Sequence, residues 1–174
     1  MVAASARVRE AFGEIAKCQA MVTLRISEGM LKKSVSLFHP AILLIGNWIN
    51  EGHTIGTAEI PSVPILTSDV YEWAPGGFFV VHSAFGKIGD TSVGGVEIIG
   101  VDGAAYASTF YDSFGNVHRS RLEIEGDLLR WTGDRTRFTV TLAGGGMTQV
   151  ARHESSADGV SWTASMDVTL RKVA

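Results

Sequence analysis

From Gly46 onward the chain is punctuated by glycine-centred turn signals about every ten residues, and few folds accommodate that spacing. They are Pro75-Gly76-Gly77, Asp102-Gly103, Phe114-Gly115-Asn116, Gly126-Asp127, Gly133-Asp134, Gly144-Gly145-Gly146 and Asp158-Gly159. The stretches between them are rich in Val, Ile, Thr, Phe, Tyr and Trp. Short strands parted by such turns spell an all-β sandwich or barrel. Strands are expected near residues 46–54, 67–74, 77–86, 93–102, 104–112, 116–125, 127–133, 135–143, 146–155 and 159–171. Consecutive tight hairpins favour an antiparallel up-and-down meander of about ten strands, and closing it into a barrel removes exposed strand edges. The long connection 55–66 carries Pro61 and Pro64, so it is no hairpin turn and is a candidate lid.

The 174 residues suit one barrel domain over 38–174 preceded by a short helical extension over 1–37. A chain of this size buries about 70% of its unfolded surface and needs no disulfide or metal staple. Cys18 is the single cysteine, so no intrachain disulfide forms, which suits a reducing cytoplasm. Val8, Phe12, Ile15 and Val22 recur at helical spacing, predicting an amphipathic helix over about residues 4–20. It is an appendage on the barrel or a partner- or membrane-surface helix; a third alternative makes Met30 the true start. Pro40 to Ile45 reads as one apolar helical turn. No apolar run is long enough to span a membrane, and the start lacks a signal-peptide pattern. Net charge of −3 argues against a nucleic-acid partner.

Turn positions fix strand register, and strand periodicity then fixes faces. Centring turns on the glycines pairs Tyr71 with Val80, Asp69 with His82, Tyr111 with His118, Leu122 with Trp131 and Leu129 with Phe138. It also pairs Thr136 with His153, Val140 with Gln149, His153 with Trp162 and Gln149 with Met166. Val117, Arg119, Arg121, Glu123 and Glu125 form the opposite, outward face, because unpaired charges inside a barrel cost several kcal/mol each. The candidate ligand-binding residues are therefore Trp48, Tyr71, His82, Tyr111, His118, Trp131, Phe138, His153 and Trp162. The expected interior has an apolar floor near Trp48 and a mouth of histidines and aromatics. Asp69 and His82 are the candidate catalytic pair, the carboxylate holding the imidazole tautomer. A structural rim contact is the alternative for that pair. Likewise, Trp48 and Trp162 can be core plugs, and interior histidines can simply be satisfied by neighbouring hydroxyls.

No Gly-x-Ser-x-Gly elbow, His-Glu-x-x-His or Cys-x-x-Cys occurs, and the five histidines are too dispersed to mark a metal site. Gly144-Gly145-Gly146 has no following Lys-Ser/Thr, so it is a turn and no phosphate loop. Asp112-Ser113-Phe114-Gly115-Asn116 lacks the acids of a calcium loop.

Gly46-Asn47-Trp48, opening the first barrel strand, resembles the Gly-x-Trp signature of the calycin superfamily, which includes lipocalins and fatty-acid-binding proteins. The run from Thr67 to His82, through Tyr71-Glu72-Trp73-Ala74-Pro75-Gly76-Gly77, resembles the start of the DUF1579 family of small bacterial calycin-like proteins. Glu97-Ile98-Ile99-Gly100-Val101-Asp102, Phe110-Tyr111-Asp112, Asp158-Gly159-Val160-Ser161-Trp162 and Met166-Asp167-Val168 continue the likeness, which spans about residues 38–173. It implies the barrel and brings no established activity. Nitrobindins, haem-carrying cousins, place a haem-binding histidine in the last strand. Here that stretch reads Ala164-Ser165-Met166-Asp167, so no cofactor is expected, although His153 or His118 could in principle substitute.

Three functions follow as expectations. The first is a cytoplasmic binding module for a small, largely apolar molecule, whose polar end meets His82, His118 and Tyr111. The second is a cyclase- or isomerase-type barrel enzyme using Asp69 and His82. The third is a filled barrel whose N-terminal helix binds a partner. Ligand identity, any reaction and the oligomeric state stay open.

Overall fold

The structure is a computed structural model that describes residues 39–103 and 105–173. The expected helix over 4–20, the rest of the 1–37 extension and the question of Met30 lie outside the described residues. Ten antiparallel strands form one closed barrel in meander order. They are β1 (Gly46–Thr54), β2 (Pro64–Trp73), β3 (Val80–Ile88), β4 (Thr91–Asp102) and β5 (Ala105–Asp112). The second half is β6 (Val117–Glu125), β7 (Leu128–Thr132), β8 (Thr136–Ala143), β9 (Thr148–Ser155) and β10 (Thr163–Val173). β1 pairs with both β2 and β10, so no strand edge is left open. Helix is confined, among the described residues, to two 3-10 turns at His39–Leu43 and Gly144–Gly146. Neither is long and apolar enough to cross a membrane.

The apolar positions of alternate register fill one end. Leu44, Trp48, Val80, Ile99, Leu122 and Leu129 are almost fully buried there. Trp48 Nε1–H donates to the Leu44 carbonyl at 2.8 Å, so the turn ahead of β1 is tied beneath the barrel as a floor. The Lys172 ammonium lies over the Trp48 ring, 5.3 Å from its centre. On the outer face, Arg152 is paired with Asp167 and Arg171 with Glu51 across neighbouring strands.

Register departs from the expected pairing in instructive ways. Between β2 and β3 the connection is a six-residue loop, and Trp73 pairs with Val80. Tyr71 therefore opposes His82, and Asp69 opposes Ala84. Similar displacements of two residues, which preserve the faces, place Leu129 opposite Val140, Phe138 opposite His153 and Val140 opposite Ala151. Leu122 opposes Trp131 as expected.

The β5–β6 turn is different. Asp112 accepts the backbone N–H groups of Phe114 and Asn116 at 2.9 and 2.8 Å, and Gly115 takes φ +87°. The Tyr111–Val117 pair thereby encloses five residues, an odd number, and one residue of register moves a strand's side chains to the opposite face. Phe110 thus opposes His118 on the inside, while Tyr111 opposes Val117 on the outside and is 51% exposed.

Candidate functional site

Toward the end where the 55–63, 113–116 and 156–162 connections lie, the barrel encloses a cavity of about 360 Å³. Two aromatic ladders wall it. On one side Tyr71 stacks on His82, with centroids 4.0 Å apart and planes 8° from parallel. Phe110 continues the row at 6.4 Å from His82, and His118 follows at 6.3 Å from Phe110. Gly95 makes this row possible: a Cβ there would come within 2.4 Å of the Phe110 ring. On the other side Trp131, Phe138 and His153 stack across β7, β8 and β9, at 5.1 and 4.9 Å.

The polar centre of the first wall is His82. Its Nδ1 lies 2.9 Å from Glu97 Oε2 and its Nε2 3.3 Å from Asp69 Oδ1. The contact with Glu97 is a hydrogen bond; the Asp69 contact is a close ionic approach without hydrogen-bond alignment. All three side chains are buried. Burial opposes charge on the imidazole, but the two carboxylates outweigh it and raise the His82 pKa to about 9. His82 is therefore an imidazolium at neutral pH, a fixed cationic donor and a poor general base. The neighbouring Tyr71 phenol is also pushed up, first by burial and then by the charges of Asp69 and Glu97.

His153 behaves oppositely. Burial pushes its pKa down, ahead of weaker opposing effects from Asp69 and Asp167, so its ring is neutral where it faces the cavity. It opposes Met166 of the last strand, past a register shift between Ala164 and Met166. Nearer the rim, Arg137 is bidentate to Glu154 at 2.6 and 2.9 Å, and its guanidinium covers the Trp162 ring at 4.6 Å. His118 meets Asp112 at 2.9 Å, with its side chain 44% exposed. Among the described residues no group of three or more His, Cys, Asp or Glu is arranged to hold a metal ion.

Of the expected ligand-binding residues, Tyr71, His82, His118, Trp131, Phe138 and His153 line the cavity, as does Asp69. Tyr111 is corrected to the outer face, for the turn-length reason given above. Trp162 does not pair with His153; it precedes β10, half-buried under Arg137. Trp48 lies in the floor beneath the cavity and does not line it.

Sequence reasoning missed Glu97, Phe110 and Asn50. A charged residue flanked by Val96 and Ile98 looks like an outward position, yet the isoleucine and valine are the exposed ones. The available signal was Ile99: counting back by two from that buried residue places Glu97 inside. The deep wall also differs from the expected apolar floor. Asn50, two residues above Trp48, and Gln149 both line the cavity.

The candidate lid, bounded at 55–63, is pinned near its ends. Ile55 N–H donates to the Ser165 carbonyl at 2.7 Å, Ser62 Oγ donates to the Thr54 carbonyl, and Val63 N–H donates to Thr54 Oγ1.

No protein-family model matches the sequence, and no curated protein matches it. Among solved structures, the chain is similar to the crystal structure of Rv2717c from M. tuberculosis, with a TM-score of 0.60 and 10% sequence identity. The match covers 79% of this chain and 98% of that one, and at this identity the likeness is one of fold.

Proposed function

We propose that this protein binds a small, largely apolar molecule inside its barrel, with the ligand's polar group met by buried polar side chains of the wall. The observation that carries this reading is the cavity itself. About 360 Å³ lies between two aromatic ladders, with a few polar groups converging on it. Ligand sites commonly combine an apolar cavity of that order with a small number of placed polar groups. A filled-barrel interaction domain would not need the space. The barrel-enzyme reading is served less well, since His82 is held in its charged form by two carboxylates.

The test is entry of a neutral apolar dye. Nile red should brighten and shift to the blue on titration with the protein, and saturate. Ala151 lies buried on the cavity wall between Val140 and Val168, so Ala151→Phe projects a ring into the space. That variant should lose the dye while keeping its β-type circular dichroism. Dye binding unchanged in Ala151→Phe, or no entry into the wild type, would contradict the proposal.

A further inference from the structure

Among the described residues, four buried polar atoms on the cavity's lining residues lack a hydrogen-bond partner: the Trp131 Nε1–H, His82 Nε2, which has Asp69 beside it, and one atom of each of two side-chain amides. Asn50 is 4% exposed and Gln149 1% exposed, yet Asn50 Oδ1 and Gln149 Nε2 have no hydrogen-bond partner among the described residues. The other end of the Asn50 amide is occupied: Nδ2 donates to Thr67 Oγ1 at 2.9 Å. Asn50 and Gln149 both oppose Leu170, one from each side of β10. Strand spacing sets their Cα atoms roughly 10 Å apart, a gap that two amide side chains and one small group can fill. Buried polar groups are rarely left unpaired, and an acceptor on one side with a donor on the other defines what completes them.

A second, independent observation concerns charge. Asp69, Glu97 and His82 all line the same cavity, which places two carboxylates against one imidazolium. Arg137, the other cation on the lining, is already bidentate to Glu154. The buried polar wall therefore carries an excess of negative charge, and His82 and Arg137 each already face carboxylates.

We infer that the ligand's head group is uncharged and both donates and accepts a hydrogen bond, as an alcohol or a primary carboxamide does. It sits between Asn50 and Gln149, and the interior rejects the corresponding carboxylate. This rests on the ligand-binding reading above and reverses the orientation expected from sequence, in which the apolar end points to the floor.

The experiment is displacement of Nile red from the full chain by a matched ten-carbon series: 1-decanol, decanamide and decanoate at neutral pH. Decanol and decanamide should compete, and decanoate should be about ten-fold weaker or worse. Asn50→Leu and Gln149→Leu should each weaken decanamide by roughly five- to 150-fold, the loss of one hydrogen bond to a buried group. Each variant's own Nile red affinity is measured by direct titration, and the displacement by decanamide is read relative to it. Decanoate competing as well as decanamide, both leucine variants retaining decanamide binding, or displacement by neither neutral compound would overturn the inference while dye entry upholds the binding reading. Failure of Nile red to enter the wild type would overturn both. The carboxylate comparison needs no variant, so misfolding of either substitution leaves the inference exposed to refutation.

Discussion

Raising the pH through 6.5 to 9 should remove stability from this barrel, and the loss should trace to one imidazole. In the unfolded chain His82 titrates near its ordinary value of 6.5, whereas in the folded barrel Asp69 and Glu97 hold it at about 9. Between those values the native state binds a proton that the unfolded state does not. Stability then falls with pH at about 1.4 kcal/mol per unit. The contribution is complete below pH 6.5 and gone above about 9, and the interval amounts to ~3 kcal/mol. The neighbouring groups titrate elsewhere. His153, pushed down by burial, withdraws stability only as the pH falls below 6.5. Tyr71, pushed up, does so only above 10. Urea unfolding at half-unit steps from pH 6 to 9.5 reads the slope. Glu97→Gln removes one of the two carboxylates and should flatten it. A wild-type stability that is constant from pH 7 to 9, or a Glu97→Gln variant with the same slope, would refute the reasoning.

Truncating Trp48 to Ala should cost roughly 3–5 kcal/mol, because it empties the floor and orphans the Leu44 carbonyl; a loss under about 1 kcal/mol in urea unfolding would make the floor peripheral. Gly95→Ala should destabilise by about 1–3 kcal/mol, since the added Cβ would meet the Phe110 ring and the Tyr111 carbonyl, each at 2.4 Å; neutral behaviour in the same assay would show that Phe110 does not need that space. Reconstitution with hemin should give no sharp, saturable Soret shift; a shift that His153→Ala abolishes would overturn the reading of the last strand.

The barrel was legible in the sequence because glycine turns and strand periodicity are local signals. Gly103, Gly115, Gly126 and Gly159 all take positive φ at the expected turns. Faces were legible wherever loop length came out even, as from Leu122 to Trp131, since a slip of two residues preserves the side. They failed at Tyr111, where the Asp112 carboxylate builds a turn one residue shorter than the glycine position alone suggests. The candidate site was harder. Glu97 obeys the rule that buried charge must be paired, but its partner is His82 on another strand, and no local pattern announces such a pairing. Asp69 and His82 do meet, diagonally and not as directly opposed residues. The amide pair at depth comes from β1 and β9, brought together only by closure through β10.

The central claim is that the interior holds a small molecule, and native mass spectrometry of gently purified protein addresses it most directly. The wild type should carry an excess mass that collisional activation releases as a small neutral compound, and Ala151→Phe should appear at its bare chain mass. An identical excess on the cavity-filled variant, or none on wild type offered a saturating neutral ligand such as decanamide, would contradict the account.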